Sequence, residues 1–270
     1  KKILKNFKSS PHSSIKWDNY FEIYETSLKK FINKKVTLVE IGVGNGGSLF
    51  MWKKFLGSKA KIIGIDLNPD AKKFEKFGFK IFIGDQADPN FWKKFYSKNG
   101  KIDILIDDGG HTNLQQITAL MESIENIKND GLILIEDTHT SFMNYKGFKN
   151  PSDYSLINFT NKIIENLHRR NPMIKKKINL FSKKIASIEY FDSIVIIKIS
   201  NKKYSYSKNL HNNKKLNPFF TDYRFKRTIK KNNNKKSFLS YIKLKISKKG
   251  FLQGIYENYL IKKYLDKLNN

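Results

Sequence analysis

Apolar and polar positions alternate along the 270-residue chain in short, distinct blocks. In residues 17–33, WDNYFEIYETSLKKFIN, the positions Tyr20, Ile23, Tyr24, Leu28, Phe31 and Ile32 share one helical face. That spacing predicts a helix lying on the main domain. Val36 to Ile41 is a short apolar run rich in β-branched residues, which predicts a strand. A glycine-rich turn follows, and then a helical pattern carrying Leu49, Phe50, Trp52 and Phe55. The units AKIIGIDLNP, FKIFIGDQADP, KIDILIDDGG and GLILIEDTHTS are further apolar runs of about four to six residues, each ending in an acid. Leu114, Ile117, Leu120, Met121, Ile124 and Ile127 predict a helix before the last of them, and residues 156–167 another after it.

Near-continuous apolar strands alternating with helices imply a parallel sheet buried on both faces. The pattern then changes. KIASIEYFDSIVIIKIS reads as two strands joined tightly near Phe191 and Asp192, a hairpin rather than a crossover. The predicted fold class is therefore α/β: a Rossmann-like doubly wound sheet, mostly parallel, closed by an antiparallel hairpin. Three segments follow from the texture: an N-terminal helical segment, 1–34; the sheet domain, 35–200; and a basic, partly helical extension, 201–270. No internal repeat is evident.

Composition narrows the chemistry. Cysteine is absent, which excludes disulfides, zinc–thiolate sites and a cysteine nucleophile. No apolar run reaches the roughly 18–20 residues of a membrane span, and the basic N-terminus lacks the apolar stretch of a secretory signal. The expected location is cytoplasmic, with peripheral attachment at the inner face of the membrane as an alternative. The net charge is +28, from 52 Lys and Arg against 24 Asp and Glu. Part of that excess reflects a Lys-, Asn- and Ile-rich composition of the kind an AT-rich genome produces. The rest concentrates beyond Ser200, in pairs from Lys202–Lys203 to Lys248–Lys249, interleaved with Phe219, Phe220, Tyr223 and Phe225. RNA, an anionic membrane surface and a phosphate-bearing acceptor all suit such a segment, as does a solvated tail; DNA is not expected.

The acids at the strand ends carry the strongest signal. In an open α/β sheet, ligands bind at the carboxyl ends of the strands. Glu40, Asp66, Asp85, Asp107 with Asp108, and Glu136 with Asp137 all fall there. Like charges so placed are costly unless cations or donors compensate, so the pattern points to a site. In EIGVGNGGS, the glycines let a ligand approach the backbone closely, and Asp66 follows Glu40 at a spacing typical of ribose recognition. Gly42, Gly44 and Gly47 also satisfy a G-x-G-x-x-G pattern, so a nicotinamide dinucleotide is an alternative ligand. The terminal hairpin and the acids of the later strands argue against hydride transfer.

The motifs FEIYE, LVEIGVGNGGSLFMWKKFL, IIGIDLNP, GDQADPNFW, DILIDDGGH and GLILIEDTHTSF occur in that order over about residues 17–200. In this the chain resembles class I S-adenosylmethionine-dependent methyltransferases. More narrowly it resembles the metal-dependent sugar O-methyltransferases of the macrocin and mycinamicin type and the related cephalosporin-pathway protein. That family usually has Ser where this chain has Gly110, a departure expected to loosen the turn.

The resemblance implies the class I methyltransferase fold and a role for each motif. Glu40, Gly42, Gly44 and Ser48 would hold the methionine part of S-adenosylmethionine. Asp66 would bind the ribose hydroxyls, Asp85 and Gln86 would edge the adenine, and Asp107 would neighbour the cofactor's amino-acid end. Asp108, Glu136 and Asp137 would bind a divalent cation, magnesium first, a hard ion suited to carboxylate oxygens. His111 would be the general base, with Asp108 joining it in catalysis. His139 and Thr140 would face the acceptor or form a structural turn. Trp52 and Trp92 are expected to pack rather than stack on cofactor.

The expected reaction is metal-assisted methyl transfer to a hydroxyl of a sugar, sugar nucleotide or glycoconjugate, in a setting of bacterial surface-polysaccharide (capsule) synthesis. A homo-oligomer is compatible with it. An RNA methyltransferase using the basic segment is the competing enzyme, and a non-catalytic binding protein on the same fold is the third reading.

Overall fold

The computed structural model describes residues 1–143, 154–171, 173–174, 177, 179–200 and 210. The basic segment expected over 201–270, with its lysine pairs, aromatics and C-terminal helix, lies outside the described residues apart from Leu210. Residues 1–209 fall in one compact unit, which holds both the expected N-terminal helical segment and the sheet domain.

The sheet has seven strands: β1 (Thr37–Ile41), β2 (Lys61–Asp66), β3 (Lys80–Ile83), β4 (Ile102–Asp107), β5 (Ile127–Ile135), β6 (Ile185–Phe191) and β7 (Ile194–Ile199). Their order is β3-β2-β1-β4-β5-β7-β6. The first five run parallel, and β7 pairs antiparallel with both β5 and β6. The expected hairpin turns at Asp192 and Ser193, with Ser193 at φ 62°. This is the predicted fold, and its order reverses between β1 and β4, where an open α/β sheet binds its ligand.

Successive strand residues face opposite layers, as the two-residue pleat requires. Leu38, Ile62, Ile104, Leu132 and Ile196 join one core, while Val39, Ile63, Leu105, Ile133 and Ile197 join the other. The first core is covered by α1 (Lys2–Lys8), α2 (Tyr20–Leu28) and α3 (Gly47–Leu56). The second is covered by α4 (Pro89–Asn99), α5 (Asn113–Ser123) and α6 (Leu156–His168), with a short α7 (Leu180–Lys184) before β6. Tyr20, Ile23, Tyr24 and Leu28 are buried as the 3.6-residue spacing predicts, and Phe31 follows in a 3₁₀ turn. Helix α1 was not predicted; Ile3 is its one wholly buried apolar side chain, too little for a periodic signal. Among the described residues, no helix is long and apolar enough to cross a membrane.

One expectation fails in α5. The helix ends at Ser123, and Ile127 opens β5, paired with Ile102. Leu114 and Met121, expected on the buried face, are exposed, while the polar Gln116 is buried. The cause is a hydrogen bond: the Gln116 amide donates to the Glu136 carbonyl at 2.9 Å and turns that face of α5 toward the strand end. The apolar periodicity carried no trace of this polar anchor.

The strand ends are stitched together across the switch point. Gly42 N donates to Ile65 O, Asp108 N to Ile41 O, and Glu136 N to Asp107 O. The turns after β1 and β4 come so close that a β-carbon on Gly42 would lie 1.9 Å from the Asp108 carbonyl oxygen, and Gly42 sits at φ 88°. Both facts demand glycine there. Gly42→Ala is therefore expected to destabilise the protein by more than about 2 kcal/mol, measured by urea unfolding. An alanine variant as stable as the parent would show that these turns separate freely.

Candidate active site

The glycine turn between β1 and α3 frames a cleft of about 500 Å³, within the usual range for small-molecule sites. Gly42, Gly44 and Asp66 form one wall, and Gln86, Asp108 and Gly109 another. Ser13 to Ile15 of the N-terminal segment complete it. Gly44 adopts φ 49° with open space where a side chain would stand, so its backbone faces the cleft bare. Asp66 holds the turn: one carboxylate oxygen accepts from Val43 N at 2.9 Å and Gly44 N at 3.0 Å, the other from Asn68 N at 2.8 Å.

Three residues expected beside the cofactor are bonded within the fold. Glu40 is fully buried, and its carboxylate points into α3, accepting from Ser48 Oγ at 2.8 Å and Trp52 Nε1 at 2.9 Å. It clamps the glycine turn to its helix, leaving Ser48 as the member of that pair that lines the cleft. Asp107 is also buried; Gln86 Nε2 donates to its two oxygens at 2.9 and 3.1 Å. It lies behind the cleft, with Gln86 between. Asp85 is exposed and caps its own loop by accepting from Ala87 N at 2.8 Å. Trp52 and Trp92 are fully buried packing residues, as expected.

The turn after β4 is firmer than the glycine pair suggested. Gly110 N donates to Gln86 Oε1 at 3.0 Å, and Thr112 with Gln115 forms a capping box at the start of α5. A β-carbon on Gly110 would lie 2.2 Å from the Gln115 side-chain oxygen. The missing side chain makes room for that cap instead of loosening the turn.

Beyond this turn, His111 occupies left-handed backbone space at φ 57°, and Asp137 does likewise at φ 52°. Such strain in two facing residues is characteristic of functional sites. Thr140 holds them together, its hydroxyl bonded to the carbonyl oxygens of His111 at 3.0 Å and Asp137 at 2.8 Å. Thr140 is thus buried and positions both residues, in keeping with the structural-turn alternative. His139 stays partly exposed at the rim, its Nδ1 2.8 Å from Ser193 Oγ and its ring edge-on to Trp17.

His111 Nε2 lies 3.2 Å from Asp137 Oδ2 and 3.9 Å from Asp108 Oδ1. Ligand atoms of Asp108, His111 and Asp137 all fall within 4.8 Å of one another. Glu136 stands outside this group. Its Oε2 accepts from Lys16 Nζ at 2.8 Å, and the same ammonium reaches Asp108 Oδ2 at 2.6 Å. The Lys16 side chain is 1% exposed. Burial alone would lower the affinity of this amine for its proton, but Glu136, Asp108 and Glu40 outweigh it and raise that affinity above the ordinary value. Removing one partner from such a buried pair typically costs about 3–5 kcal/mol. Asp137 draws on a different set: its Oδ1 accepts from Tyr20 OH at 2.7 Å and Trp17 Nε1 at 3.0 Å.

Lys16, Trp17 and Tyr20 were missed as site residues. Tyr20 was read only as a core position, which it also is. Lys16 is one of 52 basic residues and carries no motif of its own.

No protein-family model matches the chain. The architecture is that of class I methyltransferases. The chain is 30% identical over 167 residues, 58% of its own length, to an 8-demethyl-8-α-L-rhamnosyl tetracenomycin-C 2′-O-methyltransferase from Streptomyces olivaceus. It is 33% identical over 137 residues to the demethylmacrocin O-methyltransferase of Streptomyces fradiae and 32% over 137 residues to the mycinamicin VI 2″-O-methyltransferase of Micromonospora griseorubida. These matches span 44%, 34% and 33% of the relatives, so the chain accounts for less than half the length of each. Among solved structures, MycE methyltransferase from the mycinamycin biosynthetic pathway, in complex with Mg and SAH, superposes with a TM-score of 0.65 at 21% identity, covering 76% of this chain and 55% of that one. This likeness supports the fold.

Burial of the acids sets a pH signature. Glu40 is pushed up to about 7, chiefly by burial and against the pull of Lys16. Asp107 is pushed up to about 6, again by burial and against its bonds from Gln86. Glu136 is raised as well, by burial and by Asp108. A carboxyl raised on folding keeps a proton that the unfolded chain has released. Its stabilising contribution is complete below the ordinary values of 4.5 and 3.8 and is lost as pH rises through about 7 and about 6. Lys16 adds no slope there, because both states keep its proton. The urea midpoint in chelator is thus expected to fall between pH 5 and pH 8, and Glu40→Gln to flatten the upper part of that fall. Parallel profiles for the two proteins would contradict the buried-carboxyl assignment.

Proposed function

We propose that this chain transfers a methyl group from S-adenosylmethionine to a hydroxyl of a sugar borne on a small glycoside, with a divalent cation, magnesium in the first instance. The observation that carries the reading is the meeting of two sites at Asp108. Its residue lines a cofactor-sized cleft, and its carboxylate joins His111 and Asp137. The relatives named as O-methyltransferases of a rhamnosyl tetracenomycin, of demethylmacrocin and of mycinamicin VI support the substrate class, and the MycE complex with Mg and SAH supports the cofactor pair.

The donor set fits a hard cation. Asp108 and Asp137 present carboxylate oxygens beside an imidazole, and Glu136 lies at the adjoining strand end. Asp108, Asp137 and Glu136 are the residues that would hold it. Bound there, such an ion lowers the pKa of a hydroxyl and offsets the carboxylate charge.

The chain's own residues account for the rest. Gly42 and Gly44 let the cofactor approach the backbone, and Asp66 has lone pairs left for ribose hydroxyls. Gln86, backed by Asp107, fixes the floor between the two turns. The acceptor hydroxyl gives its proton to His111 Nε2 as its oxygen attacks the sulfonium methyl. The carbon–sulfur bond breaks, leaving S-adenosylhomocysteine and a methyl ether. Asp137, 3.2 Å from Nε2, stabilises the imidazolium so formed. Placing cofactor and acceptor in line is most of the catalysis, because the methyl group needs no covalent carrier. Trp17, 58% exposed beside Asp137, offers an aromatic face to the acceptor ring. A role in surface-polysaccharide synthesis would extend this reading to another sugar-bearing acceptor.

His111→Ala is expected to lower kcat about 10²–10⁴-fold while leaving S-adenosylhomocysteine affinity unchanged by calorimetry. Chelator should abolish turnover of a glycoside acceptor, and magnesium should restore it. Full activity in chelator would remove the cation from the mechanism, and near-normal turnover of His111→Ala would remove the base.

A further inference from the structure

Residues 9–19, between α1 and α2, have no regular secondary structure, yet they are held along their length. Ser10 Oγ donates to Gly47 O at 2.8 Å, and Gly47 N donates to Ser13 O at 3.2 Å. The His12 ring stacks on Phe50 with centroids 5.1 Å apart. Ser13, Ser14 and Ile15 then wall the cofactor cleft. Exposure changes abruptly at this point: Ile15 is 93% exposed, the Lys16 side chain 1% and Trp17 58%. The chain therefore sends one ammonium into the interior between two exposed apolar residues.

Burying an ammonium is costly without compensating charge. The two carboxylates it meets, Asp108 and Glu136, are ones the proposed cation would also need. With Nζ at 2.6 and 2.8 Å from them, that part of the site already holds a positive charge, and Glu136 is the acid left out of the Asp108–His111–Asp137 group. We propose that Lys16 is a tethered cation that competes with the divalent ion for Asp108 and Glu136, so that metal loading displaces it and shifts residues 13–17 at the cleft wall. The proposal rests on the metal reading given above. The same segment touches every carboxylate of the proposed metal set, Lys16 meeting Asp108 and Glu136 and Trp17 meeting Asp137.

The test is divalent-metal affinity in the full chain, read by loss of the free Mn²⁺ resonance and by Mg²⁺ calorimetry, for the parent and for Lys16→Met and Lys16→Gln. Competition predicts that both variants, shown folded by far-UV circular dichroism, bind metal at least tenfold more tightly than the parent. A lysine that merely ordered the site would have the opposite effect, and affinity that is unchanged or weaker in a folded variant overturns the proposal while leaving the metal reading intact. If neither parent nor folded variants bind Mn²⁺, both fall together.

The unmodified chain gives a second readout that needs no Lys16 variant to fold. Of the three tryptophans, Trp52 and Trp92 are fully buried, so Trp17 reports on the segment. Mg²⁺ should shift the tryptophan emission of the parent and leave that of Trp17→Phe unchanged. Metal binding with no such shift would contradict displacement.

Discussion

Repulsion among carboxylates gathered at one edge of a parallel sheet is the constraint around which this structure is arranged. Glu40, Asp66, Asp107, Asp108, Glu136 and Asp137 end or follow strands that lie side by side, and backbone bonds between the strand ends prevent their spreading apart. Each acid therefore needs its own compensation. Neutral donors satisfy three of them: Ser48 and Trp52 for Glu40, backbone amides for Asp66, and Gln86 for Asp107. Asp108 and Glu136 instead share a buried ammonium, and Asp137 faces an imidazole. The division separates acids that build the cleft from acids that attract cations.

That division explains what could be read from the chain beforehand and what could not. The alternation of apolar strands and helices, the closing hairpin and the acids at the strand ends are local patterns, and local patterns survive in a sequence. The direction in which a buried carboxylate points is not local. The family resemblance implied cofactor contacts for Glu40 and Asp107, but their side chains turn to partners on α3 and in the loop after β3. Gln116 disrupted the expected apolar stripe of α5 for the same reason, through a bond to the Glu136 carbonyl. Lys16 was the least visible residue of all. A basic side chain in a chain of charge +28 gives no signal until the fold brings it to its partners.

The N-terminal segment is accordingly part of the site. It was expected as a helix laid on the domain, and α2 fulfils that role, with Tyr20 serving both the core and Asp137. The residues just before α2 form a cleft wall and deliver Lys16 and Trp17 to the carboxylates. The cleft and the carboxylate group thus share a boundary on two sides, through Asp108 just after β4 and through residues 13–17, of which Ser13 to Ile15 line the cleft and Lys16 and Trp17 meet the carboxylates.

The proposed cation site at Asp108 and Asp137 abuts the cleft. Crystals grown with S-adenosylhomocysteine and soaked in Mn²⁺ test it most directly, through the anomalous signal of manganese. The expected result is a manganese peak bound by the carboxylates of Asp108 and Asp137, with S-adenosylhomocysteine in the adjoining cleft. A cleft filled by S-adenosylhomocysteine, with no manganese at those carboxylates and Lys16 still seated between Asp108 and Glu136, would contradict it.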